Sequence, residues 1–208
     1  MTAVEFRPWS KTPRLFRDMC VTEKIDGSNA AIQIVPGAGM DLVTTRDQAP
    51  RRHLRLAVVD DLVVYAQSRN RLITPDSDNH GFAKWVEKYA WPLTEALGEG
   101  IHYGEWWGSG IQRKYGLTGD DKRFSLFNVN RYADVSIPEI GLGVVPVLYQ
   151  GPFDTRAVVA VVDRLELDGS SAAPGFMRPE GVVVYHEAAR STFKVTIEND
   201  AKPKGLIP

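Results

Sequence analysis

A chain of 208 residues with 43% apolar content has the material for one folded domain with a substantial core and lacks the length for two large ones. Its formal net charge of −1 excludes capture of nucleic acid by the overall field of the molecule, so any such binding must rest on a local basic surface. A single cysteine, Cys20, excludes an internal disulfide and a multi-cysteine zinc site.

One cysteine also fits a reducing compartment. With no basic-then-apolar leader and no bilayer-length apolar run, a cytoplasmic protein without a membrane partner is expected.

In chain order, Met19–Thr22 and Ala30–Val35 are β-like runs on either side of Glu23-Lys24-Ile25-Asp26-Gly27-Ser28-Asn29, which places Lys24 between strands. Pro36-Gly37-Ala38-Gly39 is a turn before Leu42–Thr45. The stretch from Arg46 to Arg55 is polar and basic, and Leu56–Ala66 is a buried strand or a short helix. From Phe82, apolar residues recur through Leu97 with the spacing of one helical face, Gly98 can end the helix, and Pro92 should kink or split it. Strands are expected at Ile101–Trp106, Phe124–Asn130, Gly143–Leu148, Gly181–His186 and Thr192–Ile197. Between Gly143–Leu148 and Gly181–His186, Asp154–Leu167 followed by Gly169 predicts a second helix, and Ser170–Gly175 a short loop. Many strands with two helices make an α+β fold with mostly antiparallel sheets.

Lys24 is the most informative residue. A lysine with the ordinary pKa of about 10.4 is protonated at neutral pH and cannot attack, so a nucleophilic lysine needs neighbours that disfavour its charge. Taken alone, Lys-x-Asp-Gly is equally a surface lysine at a strand-to-turn junction. Four further segments bear on it. Thr44-Thr45-Arg46, with Arg51 and Arg52 behind, is either a solvated basic loop or a set of guanidinium groups that hold phosphate in paired hydrogen bonds. Glu105, in Gly104-Glu105-Trp106-Trp107-Gly108, is a carboxylate at the end of an apolar strand, costly to bury without a partner, or else facing water. Phe124-Ser125-Leu126-Phe127 offers aromatics that stack on a purine or simply fill the core. Glu180, at the mouth of a strongly β run, can bind a hard cation such as Mg2+, and Lys194 can touch phosphate, although each is equally an edge charge.

In this order the segments resemble the covalent nucleotidyltransferase superfamily of polynucleotide ligases and RNA capping enzymes. Lys24-Ile25-Asp26-Gly27 matches its nucleophile motif, Arg46 the arginine motif, and Gly104 to Gly108 the central glutamate motif. Phe124 to Phe127 matches the aromatic motif, Glu180-Gly181-Val182-Val183 the fourth motif and Lys194 the fifth. Glu-Lys-Ile-Asp-Gly-Ser-Asn and the Gly-Glu-Trp version look most like ATP-dependent RNA ligases of phage type and the editing ligases. The resemblance implies a nucleotidyltransferase fold, with two mainly antiparallel sheets flanked by helices and an ATP groove between them.

It further implies ATP and Mg2+ (or Mn2+) as cofactors and RNA strand ends or nicks as partners. Lys24 would take AMP from ATP, pass it to a 5′-phosphate and let a 3′-hydroxyl displace it. Lys194 and the metal would neutralise phosphate charge and help Lys24 lose its proton. Glu105 would contact the ribose, Phe124 or Phe127 would stack on adenine, and Glu180 would help hold the metal. Arg46 would meet the ribose or the incoming phosphate, Asn29 would contribute nearby, and the backbone of Glu23 would contact adenine. Arg69 and Arg71, in a polar loop running to Gly81, and Arg113 with Gln112 and Lys114 are solvated or meet nucleic acid. His102 is expected to be structural.

The pattern departs in two places. Thr196 stands where the fifth motif has a second lysine, a charge that Lys202 or Lys204 would have to supply. Residues 1–208 read as a single adenylylation domain with no accessory domain, so self-adenylylation is a firmer expectation than sealing, for which an accessory protein would grip the strands. A DNA nick-sealing enzyme, a capping-type guanylyltransferase and a non-catalytic strand-end-binding module are the competing readings.

Overall fold

A computed structural model describes residues 5–37 and 54–198 of the chain. Two β-sheets form the frame. In one, four strands are ordered β11-β10-β1-β9, with β1 at Asp18–Lys24, β9 at Val147–Pro152, β10 at Gly181–His186 and β11 at Ser191–Thr196. The other is built on the path β3-β4-β2-β6-β7-β8, with a short β5 against β4. Its strands are β2 at Ser28–Pro36, β3 at Ala57–Val59, β4 at Leu62–Ser68, β5 at Leu72–Ile73, β6 at Gly100–Gly108, β7 at Lys122–Leu126 and β8 at Leu142–Val144. All pairings are antiparallel except β7 with β8.

The pleat explains how one sequence serves two layers, because alternate side chains on a strand leave by opposite faces. On the larger sheet, Ala30, Ile32 and Ile34 of β2, Trp106 of β6, and Phe124 and Leu126 of β7 enter a core closed by helices α1 (Phe82–Lys88) and α2 (Ala90–Leu97). On the smaller sheet, Met19, Val21, Val182 and Val184 pack against α3 (Thr155–Asp168) through Val158 and Leu165. From their other faces, Cys20, Thr22 and Lys24 of β1, Val183 and Tyr185 of β10, and Asn29, Tyr103 and Glu105 of the larger sheet line a groove between the two layers, while Val63 and Tyr65 join a small apolar cluster with Leu54.

Local chemistry sets the helix limits. The long apolar pattern divides at Tyr89, whose φ of −111° leaves the helix. Pro92 accounts for the break: it has no N–H for the Lys88 carbonyl, and its ring would collide with that group in a continuous helix. Asp154 caps α3 by accepting from the Arg156 N–H at 2.8 Å, and Gly169 ends it at φ 84°. The Leu56–Ala66 run, open between strand and helix from sequence, is the β3-β4 hairpin. Pro146 interrupts the expected Gly143–Leu148 strand, which becomes β8 and β9 in different sheets. The segment after Phe124 is strand only to Leu126. The expected Leu42–Thr45 strand lies outside the described residues. Among the described residues, no helix is long and apolar enough to cross a membrane.

Candidate active site

Lys24 is the last residue of β1, and Ile25-Asp26-Gly27 carries the chain directly into β2 of the other sheet. That turn is the closed end of the groove. Gly27 is required there because a Cβ would lie 2.5 Å from the Trp106 carbonyl oxygen. From this end, Cys20, Thr22 and Lys24 line one wall with Val183 and Tyr185 of β10, while Asn29, Tyr103, Glu105 and Phe127 line the other. The cavity between the walls is about 960 Å³, within the range of small-molecule sites. Another cavity of about 850 Å³, lined in part by Lys122 and Arg123, contains none of Lys24, Glu105 and Glu180.

Three groups converge at the closed end. Lys24 Nζ donates a hydrogen bond to Glu180 Oε2, an ion pair whose side chains are only 21% and 16% exposed. Glu180 reaches Lys24 because Gly181 directly opposes Lys24 across the β1-β10 ladder. Gly181, at φ 148°, lies so close to β11 that a Cβ would collide with the Val195 carbonyl oxygen. On the opposite wall the buried Glu105 accepts from Asn29 Nδ2 at 2.7 Å and from the Gly27 N–H at 3.1 Å. Burial raises its pKa to about 7; the Asn29 hydrogen bond, the Lys24 charge and the Gly27 N–H pull the other way, and Glu180 pushes it up further.

Beside Lys24, the side chain of Glu23 turns out of the groove and is buried. It accepts from Ser170 Oγ at 2.5 Å and from the Ala172 N–H at 2.9 Å, while its own N–H donates to the Pro146 carbonyl at 2.9 Å. Burial pushes this carboxyl up as well, against the donors from Ser170, Ala172 and Ser171.

A family model described as RNA ligase matches residues 17–196, spanning both sheets and every one of these groups. The chain belongs to the RNA ligase family. Among solved structures, a Naegleria gruberi RNA ligase variant with ATP and Mn has 17% sequence identity and a TM-score of 0.55, over 88% of this chain and 51% of that one. A second variant, with AMP and Mn, has 17% identity and a TM-score of 0.54, over 88% and 50%. The same enzyme with PPi has 18% identity and a TM-score of 0.52, over 86% and 49%. These likenesses support the ligase-type α+β fold, and the chain spans about half the length of those proteins. The search of curated proteins found no match.

Within this family frame the structure sorts the residues singled out from sequence. Lys24, Asn29, Glu105, Phe127 and Glu180 share the groove. Phe124 does not. It is fully buried in the core against Phe82, Trp85 and Trp106, so its ring has no face free for a base, whereas Phe127 is 43% exposed. Lys194 pairs with Val183 across β10-β11, on the same sheet face as the groove-lining Thr192. Arg69 lines the groove, while Arg71 donates to the Ser77 and Leu72 carbonyls at 2.9 and 3.3 Å and staples its own loop. Arg113 is engaged with protein: its Nε donates to Asp26 Oδ2 at 3.2 Å. Arg46, Arg51, Arg52, Lys202 and Lys204 lie outside the described residues. His102 is buried between the Tyr132 hydroxyl (2.8 Å) and the Gly98 carbonyl (3.0 Å), a structural role.

Two contributors carried no sequence signal. The Tyr115 hydroxyl accepts from the Asp26 N–H at 2.8 Å, and Ser170 anchors Glu23; both come from loops with no motif of their own. For a divalent cation, the donor set is sparse. Among the described residues no cluster of three or more His, Cys, Asp or Glu side chains could hold a metal. Glu180 in the groove fits a cation of the Mg2+ type, which binds through one or two carboxylates and the phosphates of its substrate.

Proposed function

We propose that this protein is an ATP-dependent RNA ligase working through a covalent lysyl-AMP intermediate. The observation that carries the reading is the convergence of Lys24, Glu180 and Glu105 at the closed end of one groove of nucleotide size. Membership of the RNA ligase family and the likeness to ligase folds solved with ATP and Mn support it.

Lys24 Nζ attacks the α-phosphorus of ATP. One proton leaves the ammonium before attack; a P–N bond then forms, the P–O bond to pyrophosphate breaks, and a second proton leaves the nitrogen to solvent. Glu180, together with the phosphates of the substrate, would hold a divalent cation, which would supply positive charge to the polyphosphate and compete with Lys24 for the Glu180 carboxylate. Phe127 and Val183, on facing walls, form a slot for the adenine ring. Glu105, oriented by Asn29 and the Gly27 N–H, accepts from a ribose hydroxyl. Lys194 contacts phosphate from the β11 side.

In the second step an oxygen of the RNA 5′-phosphate attacks the AMP phosphorus, the P–N bond breaks and the amine regains a proton. A 3′-hydroxyl then attacks the 5′-phosphate, forms the phosphodiester and expels AMP.

Incubation with α-labelled ATP and Mg2+ tests the first step: the wild type becomes covalently labelled and Lys24→Ala does not. Absence of label with either ATP or GTP defeats the reading, and preference for GTP converts it to a capping-type enzyme. Sealing of nicked and single-stranded RNA and DNA by pre-adenylylated protein then distinguishes the substrates. Binding of a nick with no adduct leaves only a strand-end-binding module.

A further inference from the structure

The loop that leaves β6 just past Glu105 is unusually constrained. Gln112, Lys114 and Tyr115 all have positive φ, at 42°, 61° and 51°, a conformation that side-chain-bearing residues adopt rarely and that surrounding contacts must hold in place. Those contacts lead to the catalytic turn. Tyr115 is buried between Trp107 and Phe176, with ring centroids at 5.2 and 4.6 Å, and its hydroxyl accepts from the Asp26 N–H. Arg113 extends the grip in two directions. Its Nε donates to the Asp26 carboxylate at 3.2 Å, and its Nη1 donates to the carbonyls of Arg178 (3.0 Å) and Pro179 (3.4 Å), immediately before Glu180. Nη2 reaches Glu198 at 3.5 Å.

One guanidinium thus bridges the turn that follows the nucleophile and the segment that carries its carboxylate partner. We propose that Arg113 is a positioning residue that sets the placement of Lys24 relative to Glu180, with Tyr115 fixing the backbone of the same turn. This rests on the ligase reading for its rate measurements alone. The planar fork suits the task because it aims donors at a carboxylate and at carbonyls simultaneously, which the ammonium of a lysine does not match. The side chain is 25% exposed and already engaged, so a primary role in gripping RNA is disfavoured.

The experiment has two arms on the full chain. In hydrogen exchange without nucleotide, Arg113→Ala raises exchange in the segments around residues 25–28 and 179–182 together and leaves the α1–α2 region unchanged. In single-turnover labelling at saturating ATP, Arg113→Ala slows lysyl-AMP formation by about 100-fold, the cost of a small misplacement of reacting groups. ATP affinity stays within about threefold and Arg113→Lys recovers only part of the rate. Asp26→Asn, which preserves shape, slows the same step, and the double variant is less than additive. Unchanged exchange at both segments overturns the proposal. So does normal labelling with impaired sealing, which would make Arg113 an RNA contact, or a rate loss fully matched by weakened ATP binding. A wild type that takes no label defeats the ligase reading, and the exchange arm still decides the clamp.

Discussion

Glu105 gives the most quantitative consequence of the groove. Its carboxyl is 7% exposed and held at a pKa of about 7, against an ordinary 4.5. A raised folded-state value means that the folded chain binds this proton more tightly than the unfolded chain. The resulting stabilisation is fully present below pH 4.5 and is lost as pH rises through about 7. With each pH unit between the two values worth about 1.4 kcal/mol, the whole window amounts to about 3 kcal/mol. Glu105→Gln cannot titrate and is close in shape; the Asn29 amide can turn to present its oxygen to the new amide. Urea unfolding of both proteins across the window is the assay. Relative to wild type, the variant gains about 3 kcal/mol between pH 4.5 and pH about 8, or about 6–12 °C in Tm for a domain of this size. Taking the difference cancels Glu23 and His102, which titrate in both proteins. A difference that stays flat with pH refutes the buried, desolvated placement of Glu105.

Other consequences follow from the same contacts. Phe127→Ala weakens ATP binding by about 1–3 kcal/mol, read by calorimetry, and barely moves Tm, whereas Phe124→Ala costs about 3–5 kcal/mol of stability through the cavity it leaves. Ser170→Ala strips a donor from the buried Glu23 carboxyl and lowers unfolding free energy by about 1–3 kcal/mol in urea. His102 is held below its ordinary 6.5, by burial first and by the Arg131 charge, against the Gly98 carbonyl. Its contribution is present above pH 6.5 and is lost as pH falls through the depressed value, so acid destabilisation is smaller in His102→Gln once both are referred to neutral pH.

What the sequence revealed follows from which signals are local. The strands around Lys24 were legible because Met19–Thr22 and Ala30–Val35 are short β-like runs bounded by Asp26-Gly27 and Pro36-Gly37, and α3 because Asp154 and Gly169 punctuate it. Pro92 announced a break, but only the chain geometry places it at Tyr89. The pair Phe124 and Phe127 shows the limit. Three residues apart, they cannot share a face of a regular strand, yet which one faces the groove depends on the phase set when β7 joins β6. Glu105 and Glu180 stood out as carboxylates in or beside apolar strands, although β6 runs three residues past Glu105 to Gly108, and their approach to Lys24 is a product of two sheets folding about one turn. Arg113, Tyr115 and Ser170 belong to loops whose partners lie 87, 89 and 147 residues away in sequence, beyond any periodic signal.

The central claim is that the Lys24 amine becomes the carrier of AMP, and peptide mapping by mass spectrometry after incubation with ATP and Mg2+ tests it directly. The account predicts one AMP on the peptide containing Lys24, absent from Lys24→Ala and released on addition of pyrophosphate. AMP attached to a different residue, or a Lys24→Ala protein that is still labelled, would contradict it.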